Sequence, residues 1–297
     1  MAALPLFRAA GRSLALAAGL AALASSASAE AEPSRIVSIG GSITEIVYAL
    51  GEGDRLIARD QTSIYPPEAL ALPDVGYIRQ LSPEGVISVN PDLVIALEGY
   101  GPPAAKEVIE AAGVPLAVIP EAYDGAGIVA KIEATAKALG AEEKGDKLAA
   151  SVKADLDAAE DAAAKVESPA KVLFVLALQD GRIMAAGGHS HAQAIIEMAG
   201  AENALTGFDG YKPVTDEAVL EAAPDVILLM DRGINDNHDA QDATLLALPA
   251  VASTPAGQNK ALIRMDGQYL LGFGPRTAQA ARDLSGRLAE LTAGGSN

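Results

Sequence analysis

The chain has 297 residues, of which 50% are apolar and 21% charged, and its 39 acidic against 22 basic side chains give a formal net charge of −17. This composition excludes intrinsic disorder, and the charge argues against a nucleic-acid partner, because such binding depends on Lys and Arg neutralising phosphates. The absence of cysteine excludes disulfides, thiolate metal sites, cysteine nucleophiles and a lipid-modified cysteine anchor.

The first 29 residues are predicted to be a secretory signal peptide. Arg8 and Arg12 make a positive n-region, residues 13–24 form an apolar run, and residues 27–29 are a small-residue cleavage site. The apolar run is too short to span the roughly 30 Å of hydrocarbon in a bilayer, so an uncleaved membrane anchor is the weaker alternative. Cleavage after Ala29 removes both arginines, which takes the formal charge from −17 to −19. The sequence therefore predicts an exported protein, most simply one of a bacterial periplasm.

Residues 30–140 are predicted to form an N-terminal α/β lobe. The lobe opens with a strand at 35–39 and a Gly-rich turn, and a helix capped by Ser42 or Thr44 then runs to residue 50. Strands are predicted at 56–58, 93–97 and 116–119, and helices at 83–89, 103–112 and 128–139. The alternation of strands and helices favours a mainly parallel sheet.

Residues 141–167 are predicted to be one long connecting helix. The segment is rich in Ala, Lys, Glu and Asp and contains no proline, and these residues have high helix propensity. A flexible linker is the weaker alternative, because glycine and proline are nearly absent. A C-terminal α/β lobe at 168–297 then opens with a buried strand at 172–178.

An internal repeat relates the two lobes. Residues 81–97 align with residues 214–230 at an offset of 133 without a gap, and each copy reads as a short capped helix, a Pro-Asp turn and a buried strand. A looser match pairs residues 40–51 with 189–200. A repeat of this length indicates duplicated domains. The predicted fold is therefore two Rossmann-like α/β lobes joined by a single long helix, with a ligand cleft between the lobes.

Two alternative functions are weighed against the residues present. A zinc or manganese carrier needs several His and carboxylate ligands from both lobes, whereas the three histidines are all in the second lobe. An SGNH-type esterase would use Ser42 in a Gly-Gly-Ser turn, but the Asp236–His238 segment has the wrong spacing for its acid and base. A helix-capping role for Ser42 is preferred, and no enzymatic activity is expected.

Tyr77 is the most informative single residue. It lies in a loop between Pro73 and a helix capped by Ser82. If this loop is extended, Tyr77 and Arg79 project to the same side, and the guanidinium stabilises a phenolate. A phenolate is a hard anionic donor that suits ferric iron, and tyrosine can be an axial haem ligand. The alternative is an ordinary surface or packing tyrosine.

The sequence resembles the periplasmic haem-binding proteins of bacterial haem ABC importers (the HmuT, ShuT and PhuT type), which belong to the class III, helical-backbone substrate-binding proteins. The resemblance covers essentially the whole mature chain. Four segments carry it: RIVSIGGSITEIVYALG at 35–51, DQTSIYPPEA at 60–69, LPDVGYIRQLSPEGVISVNPDLVI at 72–95 and GPRTAQAARDL at 274–284. The Val-Gly-Tyr-x-Arg segment is the most specific, since cobalamin- and siderophore-binding relatives, the alternative carriers of this fold, generally lack it.

The resemblance implies that the transported ligand is haem, with Tyr77 as the iron ligand and Arg79 supporting the phenolate or a propionate. Some family members add a histidine from the second lobe, which makes His191 or His189 a possible second ligand. Arg232 and Arg59 each follow a predicted strand and are candidates for propionate binding, although a solvated surface charge is the alternative for both.

The resemblance also implies partners. In this class a pair of glutamates, one per lobe, docks on arginines of the inner-membrane permease, and Glu84 and Glu217 are repeat-related in this way. A role in helix capping is the alternative for both. The expected partners are thus haem, the ABC permease and its ATPase, with membrane contact only through the permease.

Overall fold

The computed structural model describes residues 32–179, 181–231 and 237–294. The predicted signal peptide with its cleavage site, and Arg232, lie outside these residues. The chain from Pro33 to Asn297 forms one compact unit. Within the described residues, no helix combines the length and the apolar character that crossing a membrane requires.

The first lobe, residues 36–139, is built on a four-stranded parallel sheet, in which strands 56–59, 36–39, 93–97 and 116–119 are neighbours in that order, with a short hairpin beside it. Its elements are β1 (Ile36–Ile39), α1 (Gly41–Ala49), β2 (Leu56–Arg59), β3 (Gly76–Tyr77), β4 (Gln80–Leu81), α2 (Pro83–Ser88), β5 (Leu93–Leu97), α3 (Pro103–Ala111), β6 (Leu116–Ile119) and α4 (Gly125–Leu139). The central strands β1 and β5 are buried at almost every position and apolar except for Ser38, as expected for strands covered on both faces.

The long connecting helix is present as α5 (Glu142–Ala163). Helix α4 ends at Gly140 in the left-handed conformation, and α5 begins two residues later. One buried face of α5, which includes Ala149, Val152 and Leu156, belongs to a core cluster that also contains residues of both sheets. Helix α5 therefore joins the lobes by packing as well as by connectivity. The predicted domain boundaries at 140/141 and 167/168 stay predictions.

The second lobe, residues 171–294, has a six-stranded mixed sheet. Strands 211–213, 182–186, 171–179, 226–231 and 262–266 are neighbours in that order, and strand 202–203 pairs with strand 171–179. Its elements are β7 (Lys171–Gln179), β8 (Arg182–Ala186), α6 (His191–Met198), β9 (Glu202–Asn203), β10 (Tyr211–Pro213), α7 (Asp216–Ala222), β11 (Val226–Asp231), α8 (His238–Leu246), α9 (Pro249–Ala252), α10 (Pro255–Asn259), β12 (Leu262–Asp266), α11 (Gly267–Leu271) and α12 (Thr277–Gly294). The two-lobed α/β fold joined by a long helix is confirmed.

The internal repeat extends to individual hydrogen bonds. Ser82 and Thr215 cap α2 and α7 by accepting from the N–H three residues later. The Asp92 N–H donates to the Arg35 carbonyl while its carboxylate accepts the Arg35 N–H, both at 2.9 Å. Asp225 makes the same pair of bonds with Lys171, at 2.8 and 2.9 Å. Each Pro-Asp turn thus fastens the start of one central strand to the start of its neighbour.

Asp92 should make stability depend on acid pH. Burial acts to raise the pKa of Asp92, but hydrogen bonds from the Ser34 and Arg35 N–H groups outweigh it and leave the pKa below its usual value. The stabilisation is therefore present above the unfolded pKa of about 3.9 and is lost as pH falls through the lower folded pKa. We expect Asp92→Asn to lower the free energy of unfolding at pH 6 and to flatten its decline toward pH 3, measured by urea titration. Parallel pH profiles for the two proteins would contradict this.

Candidate functional site

Tyr77 lies at the tip of the β3–β4 hairpin. Tyr77 pairs with Gln80, so Ile78 and Arg79 form a two-residue turn. Ile78 is buried in the core of the first lobe, whereas the Tyr77 side chain is 44% exposed. The Asp74 carboxylate accepts the Gly76 N–H at 2.7 Å at the start of the hairpin. The local fold therefore holds the backbone firmly and presents the phenol to solvent.

Arg79 does not occupy the position expected for an extended segment. Because Arg79 is a turn residue, strand alternation does not relate its side chain to that of Tyr77, and support of the phenolate by Arg79 stays a prediction. Its Nη1 donates to the Gly99 carbonyl at 2.9 Å, in the loop that follows β5. Gly99 has φ of 80°, a conformation that favours glycine, and a Cβ there would lie 2.9 Å from that Nη1, so a larger residue would displace the guanidinium. Arg79 thus ties the hairpin to the neighbouring loop.

Arg59 is enclosed rather than solvated. Its side chain is 11% exposed, its Nη1 donates to the Asp60 carbonyl at 3.0 Å, and it lies 3.7 Å from the Asp74 carboxylate. The interpretation of Arg59 as a solvated surface charge is therefore wrong. The guanidinium links the end of β2 to the loop that precedes the Tyr77 hairpin.

A buried polar network lies at the carboxyl ends of β1 and β2. Both oxygens of the fully buried Asp60 carboxylate are used: Oδ1 accepts from the Gly40 N–H and the Ser63 hydroxyl, and Oδ2 accepts from the N–H and hydroxyl of Thr62. The Ser63 hydroxyl is 2.6 Å from that of Thr44, which is itself 2.6 Å from that of Ser38. This network fixes the loop at the edge of the sheet where Tyr65 follows.

Ser42 is not the helix cap that the sequence predicted. The cap of α1 is Gly40, which makes no side-chain bond, and Thr44 is bound in the polar network instead. Ser42 is 2% exposed, and its hydroxyl has no hydrogen-bond partner among the described residues. His238 lies in the second lobe against Asp231, with its Nε2 3.3 Å from Oδ1. A serine this enclosed does not offer the accessible nucleophile that the esterase alternative needs.

His191 lies where the two lobes meet. It is the first residue of α6, and its ring centroid is 4.3 Å from that of Tyr123 in the first lobe and 5.3 Å from that of Phe273 in the second. Its Nε2 is 3.6 Å from Oε2 of Glu121, which belongs to the loop after β6. His191 is therefore held between two rings and a carboxylate.

Lys131 completes this junction and was not predicted. Its fully buried Nζ donates to Oε1 of Glu121 at 2.6 Å and to the Phe273 carbonyl at 3.2 Å. Burial lowers the pKa of Lys131, and Glu121 opposes this shift. For Glu121, burial acts to raise the pKa, but His191 and Lys131 together leave it below the usual value. The buried ammonium and the carboxylate each need a partner of opposite charge, and each provides it for the other.

His189 differs from His191 in every respect. It has φ of 47°, its side chain is 86% exposed, and its Nδ1 lies 2.8 Å from Oδ1 of Asp209. The hydrogen bond to Asp209 raises the pKa of His189. Its hydrogen-bond and ion-pair partners among the described residues all belong to the second lobe.

A second polar contact joins the lobes at α11 and α12. The Arg276 Nη2 lies 2.8 Å from the Glu45 carboxylate, and its guanidinium stacks 3.3 Å from the centroid of the Tyr65 ring. The Gln268 amide accepts from the Ile64 N–H and donates to the Gly41 carbonyl. The sequence had marked residues 274–284 only through resemblance, and these contacts show why an arginine stands there.

Glu84 and Glu217 are both exposed, each in the first turn of its helix. Oε2 of Glu84 accepts from the Ser82 hydroxyl at 3.4 Å. The Glu217 backbone N–H and the Thr215 hydroxyl lower the pKa of Glu217. Both glutamates thus contact their capping residue while keeping their carboxylates at the surface, so a capping contribution and a docking role are compatible.

Two cavities in the described part of the chain lie away from Tyr77. One of about 620 Å³ is in the second lobe and is lined by Lys171, Asn203 and Glu221 among others. The other, of about 420 Å³, lies at the lobe junction beside Tyr65, Tyr269 and Arg276. Across the described residues, no group of three or more His, Asp or Glu side chains is arranged to hold a metal ion.

Comparison with known proteins gives a consistent picture. Residues 36–269 match the model of the periplasmic binding protein family. The chain is similar to the solved structure of the periplasmic heme-binding protein RhuT from Roseiflexus sp. RS-1 in apo form, at 41% identity and a TM-score of 0.82 over 86% of this chain and 98% of that one. It is similar to the periplasmic heme-binding protein BhuT in complex with two hemes at 40% identity and a TM-score of 0.81, with the same coverage.

Curated relatives are more distant. An uncharacterized ABC transporter substrate-binding lipoprotein, YvrC, of Bacillus subtilis is 33% identical over 67% of this chain, and the match spans 64% of that relative's length. A vitamin B12-binding protein of Vibrio campbellii is 31% identical over 65% of this chain and 69% of its own length.

Proposed function

Since the chain belongs to the periplasmic binding protein family, we propose that it is a carrier that captures haem outside the cytoplasm and delivers it to an ABC-type importer. The observation that carries the proposal is the β3–β4 hairpin, which presents an exposed phenol on a backbone fixed by Ile78 and Arg79. The two haem-binding structures of 40% and 41% identity support it. The haem is cargo, and no catalytic step is assigned to the protein.

Tyr77 is the iron ligand in this proposal. A phenolate oxygen is a hard anionic donor matched to ferric iron, and tyrosine serves as an axial haem ligand elsewhere. Arg79 supports the ligand by holding the hairpin to Gly99 through Nη1, and its other N–H donors are candidates for binding a propionate. Arg232 is the further propionate candidate. Arg59 is already committed to Asp60 and Asp74, which weakens its candidacy.

The candidates for a second ligand are the two histidines of the second lobe, His191 and His189. His191 is the better placed by position, at the lobe junction, but in this conformation two rings and Glu121 enclose it. The His189 side chain is exposed, but its Nδ1 is paired with the Asp209 carboxylate. Ligation of the iron by Tyr77 alone thus leaves the contacts of both histidines in place.

Cobalamin is the second candidate cargo, because the Vibrio campbellii relative is a vitamin B12-binding protein. Calorimetric titrations of the purified protein with hemin, cyanocobalamin and a ferric siderophore, under the same conditions, distinguish the two proposals. Saturable binding of hemin only supports the haem carrier. Saturable binding of cyanocobalamin without hemin binding would transfer the proposal to cobalamin.

Delivery requires a partner, and we assign docking on the permease to Glu84 and Glu217. Exchanging these carboxylates for lysines removes the charge complementarity that steers and aligns such complexes. We expect Glu84→Lys with Glu217→Lys to reduce permease-dependent haem uptake on the order of tenfold while hemin binding to the isolated protein is unchanged. Glu143→Lys with Glu160→Lys, two exposed positions of α5, is the matched control. Equal uptake by both double variants would contradict the assignment.

The predicted signal peptide, removed after Ala29, supports the periplasm as the proposed location. We propose that the mature protein diffuses freely there. The relative YvrC is a lipoprotein, whereas this chain has no cysteine to carry a lipid. Contact with the membrane is then made through the permease and its ATPase.

A further inference from the structure

Two polar contacts around His191 cross the boundary between the lobes, beside the ring contact of His191 with Tyr123. Glu121 and Tyr123 follow β6, and Lys131 is on α4, all in the first lobe, whereas His191 and Phe273 belong to the second. One crossing is the contact of Glu121 with His191 at 3.6 Å. The other is the hydrogen bond from Lys131 Nζ to the Phe273 carbonyl at 3.2 Å.

The two crossings share one carboxylate. Glu121 binds Lys131 with Oε1 and faces His191 with Oε2, so both of its oxygens are engaged. The side chains of Lys131 and Glu121 are 0% and 14% exposed, and that of His191 is 20% exposed. In such a setting a charged hydrogen bond is stronger than at the surface, and the loss of one partner leaves the other charge unpaired.

The aromatic contacts of His191 also hold the two lobes together. His191 is packed against Tyr123 of the first lobe and also against Phe273 of its own lobe. Separating the lobes would therefore break a ring contact, an imidazole–carboxylate contact and a hydrogen bond together. Nothing in the iron-binding proposal uses Glu121, Lys131 or Phe273.

We propose that Glu121, His191 and Lys131 form a clasp that restrains separation of the two lobes and thereby slows release of the bound ligand. The clasp works whether the imidazole is charged or neutral, because an Nε2–H can face the Glu121 carboxylate in either state. In this role His191 is a positioning residue and not an iron ligand. The release part of the proposal rests on the haem-carrier function, whereas the restraint on the lobes does not.

The cysteine-free chain allows a clean test of the restraint. Spin labels are placed at Val108→Cys on α3 and Leu220→Cys on α7, two exposed positions in different lobes. The distance distribution is then measured without ligand in four backgrounds: unaltered, Glu121→Gln, His191→Phe and the double variant. His191→Phe keeps an aromatic ring between Tyr123 and Phe273 and leaves the Lys131–Glu121 pair intact, so it remains informative if Glu121→Gln fails to fold.

We expect the distribution to become broader or longer in both single variants, with no further change in the double variant. Glu197→Gln removes an exposed carboxylate from α6 and is the control that should leave the distribution unchanged. Identical distributions in the unaltered and His191→Phe proteins, or an equal change in Glu197→Gln, would overturn the clasp.

The release arm uses transfer of hemin to excess apomyoglobin. His191→Phe should release hemin about fivefold faster, the change that corresponds to losing one imidazole–carboxylate contact worth about 1 kcal/mol, while the visible spectrum of the complex stays the same. A changed spectrum, or an unchanged release rate in a variant with separated lobes, would overturn this role of the clasp. Failure of every variant, including the unaltered protein, to bind hemin would reject the haem proposal and leave the spin-label result standing.

Discussion

Replacing Tyr77 with phenylalanine is expected to weaken hemin binding by at least about a hundredfold and to abolish the ferric-phenolate band of the complex. The substitution keeps the ring but removes the only atom that can bond the iron. Loss of a partner that merely orients a metal ligand already costs about 10–100-fold, so loss of the ligand itself should cost at least as much. Hemin titration followed by visible absorption measures both effects.

Tyr65→Phe is the matched control for this experiment. Tyr65 is 38% exposed, close to the 44% of Tyr77, but its ring stacks on Arg276 at the lobe junction. Removal of its hydroxyl should leave the affinity and the spectrum of the hemin complex unchanged. Full-strength binding by Tyr77→Phe with an unaltered spectrum would contradict the assignment of the iron ligand.

Asp60→Ala is expected to lower the free energy of unfolding by about 4 kcal/mol, because it leaves four donors unpaired at a cost of at least about 1 kcal/mol each. The Asp60 side chain is fully buried and accepts four hydrogen bonds, from Gly40, Ser63 and both donors of Thr62. Its removal leaves these donors enclosed without an acceptor, each at a cost of its desolvation. Chemical denaturation at neutral pH measures the change.

Asp157→Ala provides the comparison for an exposed carboxylate. Asp157 pairs with Lys153 on the surface of α5, with side chains 59% and 61% exposed, and such pairs contribute about 0.2–1 kcal/mol. Asp60→Asn, which keeps the size of the side chain and one acceptor oxygen, should fall between the two alanine variants. An Asp60→Ala protein no less stable than Asp157→Ala would contradict the role assigned to the network.

The architecture could be predicted because each of its main elements has a local sequence pattern. The buried strand β5 and residues 226–230 of β11 are runs of consecutive apolar residues at the same place in each repeat. The aspartate of the Pro-Asp turn before each strand makes the same hydrogen bonds in both lobes. The long helix α5 follows from helix propensity summed over many residues. Local patterns of this kind survive in any tertiary environment that buries one face.

The turn at Tyr77 could not be predicted from spacing. A two-residue hairpin is normally marked by Asn-Gly or Asp-Gly, whereas here Ile78 and Arg79 occupy the turn. Burial of Ile78 in the core decides the conformation, and burial depends on strands that are distant in sequence. Strand alternation was therefore the wrong geometry for relating Tyr77 to Arg79.

The lobe junction was missed for a similar reason. Lys131 falls in an amphipathic helix where lysine usually reaches solvent, and only the positions of Glu121 and Phe273 explain its complete burial. These partners are 10 and 142 residues away along the chain. A charged residue on the apolar side of the α4 pattern was the one available signal.

The central claim is most directly tested by a crystal structure of the hemin-loaded protein. We predict hemin between the lobes, with the iron bonded to the Tyr77 Oη and with His191 still in contact with Glu121. Iron bonded to His191 or His189 in place of Tyr77, or hemin bound outside the reach of the β3–β4 hairpin, would contradict the account.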